Sequence, residues 1–204
     1  MSSSMEFFHA AEKLKNELRH AYKSNGLPET VAEHSWRLCL MTLVLSETIE
    51  GIDRCKCLKM ALIHDLPEII AGDAYRLDLE KQAGRQEKER AALEKLVAHL
   101  AEDTAGEITG LWLEFEEGST REARLVRLID RLEVLVQHNE SDIGKWSELE
   151  KRIQYGLAEK HAERYGFLHE FALEIDEETR KKMTDAGFHP EKLSQQTYLK
   201  YYGI

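Results

Sequence analysis

The segment that most constrains this chain is Ala61-Leu-Ile-His64-Asp65-Leu-Pro67-Glu68-Ile-Ile-Ala-Gly72-Asp73. Apolar residues lead into an adjacent His-Asp pair, a Glu follows three residues after the Asp, and Gly-Asp closes the stretch. Buried imidazoles and carboxylates are costly unless they pair or hold a metal. Four such groups inside a stretch that otherwise reads as core therefore mark a site. Pro67 cannot donate to the carbonyl four residues back. The helix through Leu58, Ala61 and Leu62 is thus expected to break after His64-Asp65, with Pro67 in the first turn of a short helix containing Glu68. The polar groups would then lie at a helix end, where a ligand can enter.

Elsewhere apolar residues recur at spacings of three and four, no two-residue alternation is visible, and there are only three prolines. This predicts an all-α chain. Helices are expected over Phe7 to Leu18 and from Glu29-Thr30 through Val31, Leu38, Met41 and Leu45 to Ile49, ended by Gly51. A third is expected from an Asp53 N-cap to Asp65. Others should cover Gln86 to Leu100, Glu107 to Glu117, Glu122 to Asn139, Ile143 to His161 and Leu168 to Ala186. Lys23-Ser-Asn-Gly-Leu-Pro28 reads as a loop, residues 74 to 84 as a loop or lid, and Tyr198, Tyr201 and Tyr202 as packing anchors. No repeat or linker interrupts the 204 residues, so one domain is expected.

The net charge of -10 argues against a nucleic acid polymer or an anionic membrane as the main partner, because the field repels polyanions. No stretch approaches the roughly 18 apolar residues of a membrane span. The N-terminal Met-Ser-Ser-Ser-Met-Glu has no basic region ahead of an apolar run. Cys39, Cys55 and Cys57 make an odd set without framework spacing. A reducing cytoplasmic setting is the expectation. Cys55 and Cys57, two apart on a helix, face different directions and read as structural.

His34, among Val31, Arg37 and Leu38, points toward the core of its helix. Alone it reads as a hydrogen-bonded core histidine, and Asp130 alone as a salt-bridged helix aspartate. Together with the His64-Asp65 pair they make four ligands. Two imidazole nitrogens and two carboxylate oxygens suit a divalent transition metal such as Mn, Co, Fe, Ni or Zn, with open positions for water.

Glu33-His34-Ser35-Trp36, Ala61-Leu-Ile-His64-Asp65-Leu-Pro-Glu68, Gly72-Asp73 and Leu128-Ile-Asp130-Arg-Leu-Glu133 together resemble the HD-domain metal-dependent phosphohydrolases, and among them the 5'-deoxynucleotidases. The resemblance covers roughly residues 10 to 140. It implies an all-α HD-domain helical bundle with the metal site in its core, the helices of 141–204 packed on that core, and often a homodimer. His34, His64, Asp65 and Asp130 are implied as metal ligands, with Mn or Co expected and Mg, Zn, Fe or Ni allowed. Glu68 is placed beside the attacking water, Asp73 near the scissile ester, and Arg19 on the substrate phosphate, with His20 as an added donor. Many members carry a Trp just after that Arg. Here the segment is Arg19-His20-Ala21-Tyr22, so the choice of base and sugar stays open.

The expected reaction is removal of the 5'-phosphate from deoxyribonucleoside 5'-monophosphates. The alternatives are another small phosphoester or nucleotide, and a metal-bearing binding protein without turnover. Few basic groups lie near the motif, namely Arg19, Lys23, Arg37 and Arg76, which favours one phosphate over several. A binding protein has no need of both Glu68 and Asp73. A two-iron oxygenase needs further histidines between the His-Asp pair and the last Asp, where only His99 stands. The His-Glu-x-x-His spacing of zinc proteases is absent. Glu133 can orient a ligand histidine or close a core network. Gln137 and His138 read as core or surface.

Overall fold

The computed structural model describes residues 2–75, 78, 80 and 83–190. Arg76, part of the 74–84 segment and the tail tyrosines lie outside the described residues. The chain is all-α apart from one two-stranded sheet. The helices are α1 (Ser2–Ala11), α2 (Val31–Leu45), α3 (Arg54–Ile63), α4 (Glu68–Ala71), α5 (Arg85–Val97), α6 (Glu102–Glu117), α7 (Arg121–Glu140), α8 (Glu150–Ile153), α9 (Leu157–Tyr165) and α10 (His169–Asp185). Among the described residues no helix is long and apolar enough to cross a membrane.

Two compact units share the chain. One takes the residues up to Arg19 together with Glu29–Arg127, the other His20–Pro28 together with the residues from Leu128 on. The first unit packs α2 on α3, α3 on α6, and α4 and α6 on α5. Its core joins Leu14, Val31, Ile63, Leu66, Ile69, Leu93, Leu96, Val97 and Trp112. The apolar face of each helix follows the three-and-four spacing seen in the sequence.

The caps show why the elements begin where they do. Thr30 caps α2 through a reciprocal pair, its Oγ1 accepting from the Glu33 N–H while Glu33 accepts from the Thr30 N–H. Asp53 caps α3 by accepting from the Lys56 N–H, as expected. Pro67 ends the turn after α3 and stands as the N-cap of α4, so the expected break is there.

The first expected helix is corrected. α1 stops at Ala11, a 3-10 turn covers Glu12–Lys15, and the chain then enters strand β1 (Leu18–Tyr22), paired with β2 (Pro28–Thr30). Neither strand is long enough to show alternation in sequence. The Lys23-to-Pro28 loop is a hairpin turn, with the Lys23 N–H donating to the Leu27 carbonyl. Phe8 of α1 is largely exposed. α2 also ends earlier, giving way to a 3-10 turn at Ser46–Thr48.

In the second unit the single helix expected over Ile143 to His161 is three pieces: a 3-10 turn at Ile143–Lys145, α8 and α9. Ser147 and Glu150 exchange hydrogen bonds across Ser-Glu-Leu-Glu, which starts a new turn. Gly156, at φ 77°, then breaks the run before α9. α9 packs on α10. The Asp176 carboxylate of α10 accepts from the N–H groups of Gly156, Ala158 and Glu159 at 3.0, 3.3 and 2.9 Å. It caps α9 from outside. Asn139 and Thr179 tie α7 to α10 in the same unit.

Candidate active site

The site in the first unit is built at the helix end left by Pro67. His64 is the C-cap of α3, and residues 64–67 form a turn. The turn swings Asp65 to the side that His64 faces, so adjacent residues reach one point. His34 arrives from the buried face of α2. The two Nε2 atoms lie 3.3 Å apart, and Asp65 Oδ2 is 3.0 Å from His64 Nε2 and 3.8 Å from His34 Nε2. His64 Nδ1 donates to the Ala61 carbonyl at 3.0 Å, so in the neutral ring Nε2 is the nitrogen that carries the lone pair. The backbone oxygen of His64 accepts from the Trp112 indole, which anchors the turn to α6. The Phe115 ring packs edge-on against the imidazole.

Electron-rich atoms converge in this way around a cation. Ligand bonds of about 2.0–2.2 Å place neighbouring ligand atoms about 3 Å apart. Burial pushes the Asp65 carboxyl up. The His64 and His34 rings and the Arg19 guanidinium outweigh it and hold the group well below the usual carboxylate range. An anionic oxygen beside two imidazoles is the donor set of a borderline divalent metal. His34, His64 and Asp65 therefore fit such an ion.

Arg19, in β1, donates from Nη1 to Asp65 Oδ2 at 3.3 Å and pairs through Nε with buried Glu29 at 3.3 Å. Glu68, in the first turn of α4, is buried, and its Oε2 has no hydrogen-bond partner among the described residues. Burial, then the charges of Asp65 and Asp73, raise its carboxyl well above its ordinary range. An unpartnered buried oxygen costs free energy unless a ligand, water or proton satisfies it. Asp73 follows Gly72, whose φ of 77° and ψ of 156° suit glycine alone. The Asp73 N–H donates to Glu17 Oε1 at 3.0 Å, fixing the segment. Burial raises the Asp73 carboxyl, with Arg19 and Arg85 opposing.

The structure thus brings His34, His64, Asp65, Glu68, Asp73 and Arg19 into one unit. Asp130 and His20 belong to the other. Asp130 lies on α7, mostly buried, with Arg131 Nε 4.0 Å from its carboxylate. His20 Nε2 is 3.2 Å from Glu150 Oε1. Glu150 also faces buried His138, whose Nδ1 is 3.1 Å from Gln154 Oε1. Burial lowers the His138 imidazole. His138 is a core residue here, and Gln137 donates to the Tyr22 carbonyl. Cys55 is exposed and Cys57 buried, as their spacing implied, and burial pushes the Cys57 thiol up to about 12.

Several residues of this neighbourhood escaped the sequence reading. Glu29 pins Arg19, Glu17 pins Asp73, Arg85 and Glu89 flank Asp73, and Glu150 holds His20. Two signals were visible, the Ser-x-x-Glu of a capping box at Glu150 and the four-residue spacing of a helix ion pair between Arg85 and Glu89.

The buried two-imidazole, one-carboxylate cluster at a helix end, in an all-α setting, defines a metal-binding helical protein. Residues 11–170 match the HD domain family, and the chain belongs to that family. The 5'-deoxynucleotidase HDDC2 of Dictyostelium discoideum is 34% identical over 145 residues, 67% of this chain and 76% of that protein. The Danio rerio protein of the same name is 32% identical over 142 residues, 69% of this chain and 70% of its own length. A crystal structure of a predicted metal-dependent phosphohydrolase from Magnetospirillum magnetotacticum superposes with a TM-score of 0.79 at 28% identity. It covers 93% of this chain and 95% of that one.

Proposed function

We propose that this chain is a phosphomonoesterase that releases the 5'-phosphate of deoxyribonucleoside 5'-monophosphates with a divalent metal. The observation that carries the reading is the convergence of His34 Nε2, His64 Nε2 and Asp65 Oδ2 beside Arg19 and the unpartnered Glu68 Oε2. Family membership and relatives named 5'-deoxynucleotidases support the reaction and the substrate class.

His34, His64 and Asp65 would hold the metal, with Asp130 as the fourth ligand on the strength of its sequence motif. Bound there, a divalent ion acidifies water and polarises a phosphoryl oxygen. Mn or Co is the preferred ion. Arg19, anchored by Glu29 and Asp65, binds the phosphate and offsets charge developing on its oxygens. Glu68 accepts the proton of the attacking water as its oxygen bonds to phosphorus. Asp73, whose protonated form burial favours, gives its proton to the 5'-oxygen as the P–O bond breaks. His20, oriented by Glu150, adds a donor for the substrate.

We read the protein as a cytoplasmic homodimer. The exposed stripe Trp36, Leu40, Leu43 and Val44 on α2 supports self-association, since a row of apolar side chains at helical spacing marks a contact face.

The test is phosphate release from deoxy and ribo monophosphates by chelated protein resupplied with Mn, Co, Mg or Zn. Release from deoxy substrates only in the presence of metal is the expected result. No release from any monophosphate by folded, metal-loaded protein sinks the assignment.

A further inference from the structure

A second set of charged groups borders the site. A cleft of about 240 Å³ runs between Gly72-Asp73-Ala74 and the start of α5, where Arg85, Lys88 and Glu89 line it. Glu89 is 3% exposed, on the helix face that also carries Ala92, Leu93 and Leu96. A carboxylate there is destabilising without a partner. Its partner is Arg85, whose Nε donates to Glu89 Oε1 at 2.5 Å.

That bond uses one edge of the guanidinium. Among the described residues neither terminal nitrogen of Arg85 has a hydrogen-bond acceptor. Arg85 therefore lines the cleft with up to four unused N–H donors in a rigid plane. Its positive charge also reaches the acids of the site, where burial pushes Glu68 and Asp73 up and Arg85 draws both back down. Arg19, by contrast, already serves two carboxylates, Glu29 and Asp65. A further guanidinium with its terminal nitrogens unused, and an exposed ammonium one turn away at Lys88, match a dianionic group with several acceptor oxygens.

We propose that Arg85, aimed by Glu89 and assisted by Lys88, is a substrate-recognition residue that binds phosphoryl oxygens of the nucleotide. The assignment rests on the phosphohydrolase reading for its substrate. It extends that reading to a group outside the motif. Glu89 is the positioning residue: it holds the Nε edge and leaves the terminal nitrogens for the ligand.

The experiment separates binding from turnover. Inorganic phosphate is titrated calorimetrically into the Mn-loaded full chain, wild type and variants, and KM and kcat for deoxyribonucleoside monophosphates are measured beside it. Arg85→Gln is expected to weaken phosphate binding about 10-fold or more, the loss typical of a charge-assisted hydrogen bond. KM should rise by a similar factor, more than kcat falls, with bound metal unchanged; Tm should fall somewhat, since buried Glu89 loses its cation. Arg85→Lys should recover part of the loss. Glu89→Gln, which keeps the shape and loses the aiming charge, should fall between Arg85→Gln and wild type.

If Arg85→Gln folds and binds phosphate as wild type does, the assignment is overturned. If that variant does not fold, Arg85→Lys and Lys88→Ala decide the matter, and phosphate binding unchanged in both overturns it. A wild type that binds no phosphate also overturns it. A wild type without turnover, whose phosphate binding still drops in Arg85→Gln, defeats the phosphohydrolase reading and leaves the anion site standing.

Discussion

His64 shows how one side chain is given a single task by its surroundings. The Ala61 carbonyl takes the Nδ1 proton, the Trp112 indole holds the backbone, and only Nε2 is left to face His34 and Asp65. Replacing either His64 or Asp65 with Ala should therefore abolish metal-dependent phosphate release while circular dichroism stays native. Full turnover in both variants would show the site to be elsewhere. Glu68→Gln keeps the shape and removes the base, so kcat should fall about 10²-fold or more, the usual contribution of a positioned acid or base. Steady-state kinetics with saturating metal reads this directly. His64, Asp65, Glu68 and Asp73 were legible because they stand together around a proline in an apolar stretch. Glu29 and Glu17 were not, because their partners lie across a hairpin or far along the chain, and Arg85 carried only its four-residue spacing to Glu89.

Among the elements, the α8 region carries the clearest pH signature. Burial raises the Glu150 carboxyl. Hydrogen bonds from His20 and the Ser147 N–H, with the charge of His138, outweigh it and bring the group down to about 2 from 4.5. A carboxyl whose folded value is depressed stabilises the fold above its unfolded value. The stabilisation is present above about pH 4.5 and is lost as pH falls from there toward 2. Wild type should lose on the order of 2 kcal/mol over this window that Glu150→Gln does not lose, as denaturant melts at pH 6 and pH 3 will test. Asp176 makes a second prediction at this scale. It supplies the only side-chain acceptor among the described residues for the start of α9. Asp176→Ala should cost about 2 kcal/mol in urea unfolding, and a change within error would deny the cap its role. The capping boxes at Thr30 and Ser147 could be read from Thr-x-x-Glu and Ser-x-x-Glu. The cap from α10 onto α9 could not, since it crosses between elements.

At the scale of the molecule, metal binding and stability are linked. An ion held by the folded chain and not by the unfolded one stabilises by about 2.7 kcal/mol at 100 times its Kd. Chelation should therefore lower Tm, and resupplied Mn or Co should restore it, while His64→Ala shows no metal-dependent rise. Equal melting curves for chelated and metal-loaded wild type would remove the metal from the account.

The sequence by itself determined the helical class, since spacings of three and four extend along most of the chain. It also determined the break at Pro67 and the donor types at the site, because these depend on local chemistry: a missing N–H, an apolar run, an adjacent His-Asp. Tertiary structure alone decided the rest. The β1–β2 hairpin replaced the end of an expected helix because five- and three-residue strands have too little length to declare a period. The run from Ile143 to His161 split because Gly156 and the Ser147–Glu150 pair each favour a new start over continuation. The orientation of Arg19 by Glu29 and of Asp73 by Glu17 came from folding as well. Each is a pairing of charges or hydrogen bonds whose energy depends on distance in space, which residue order does not specify.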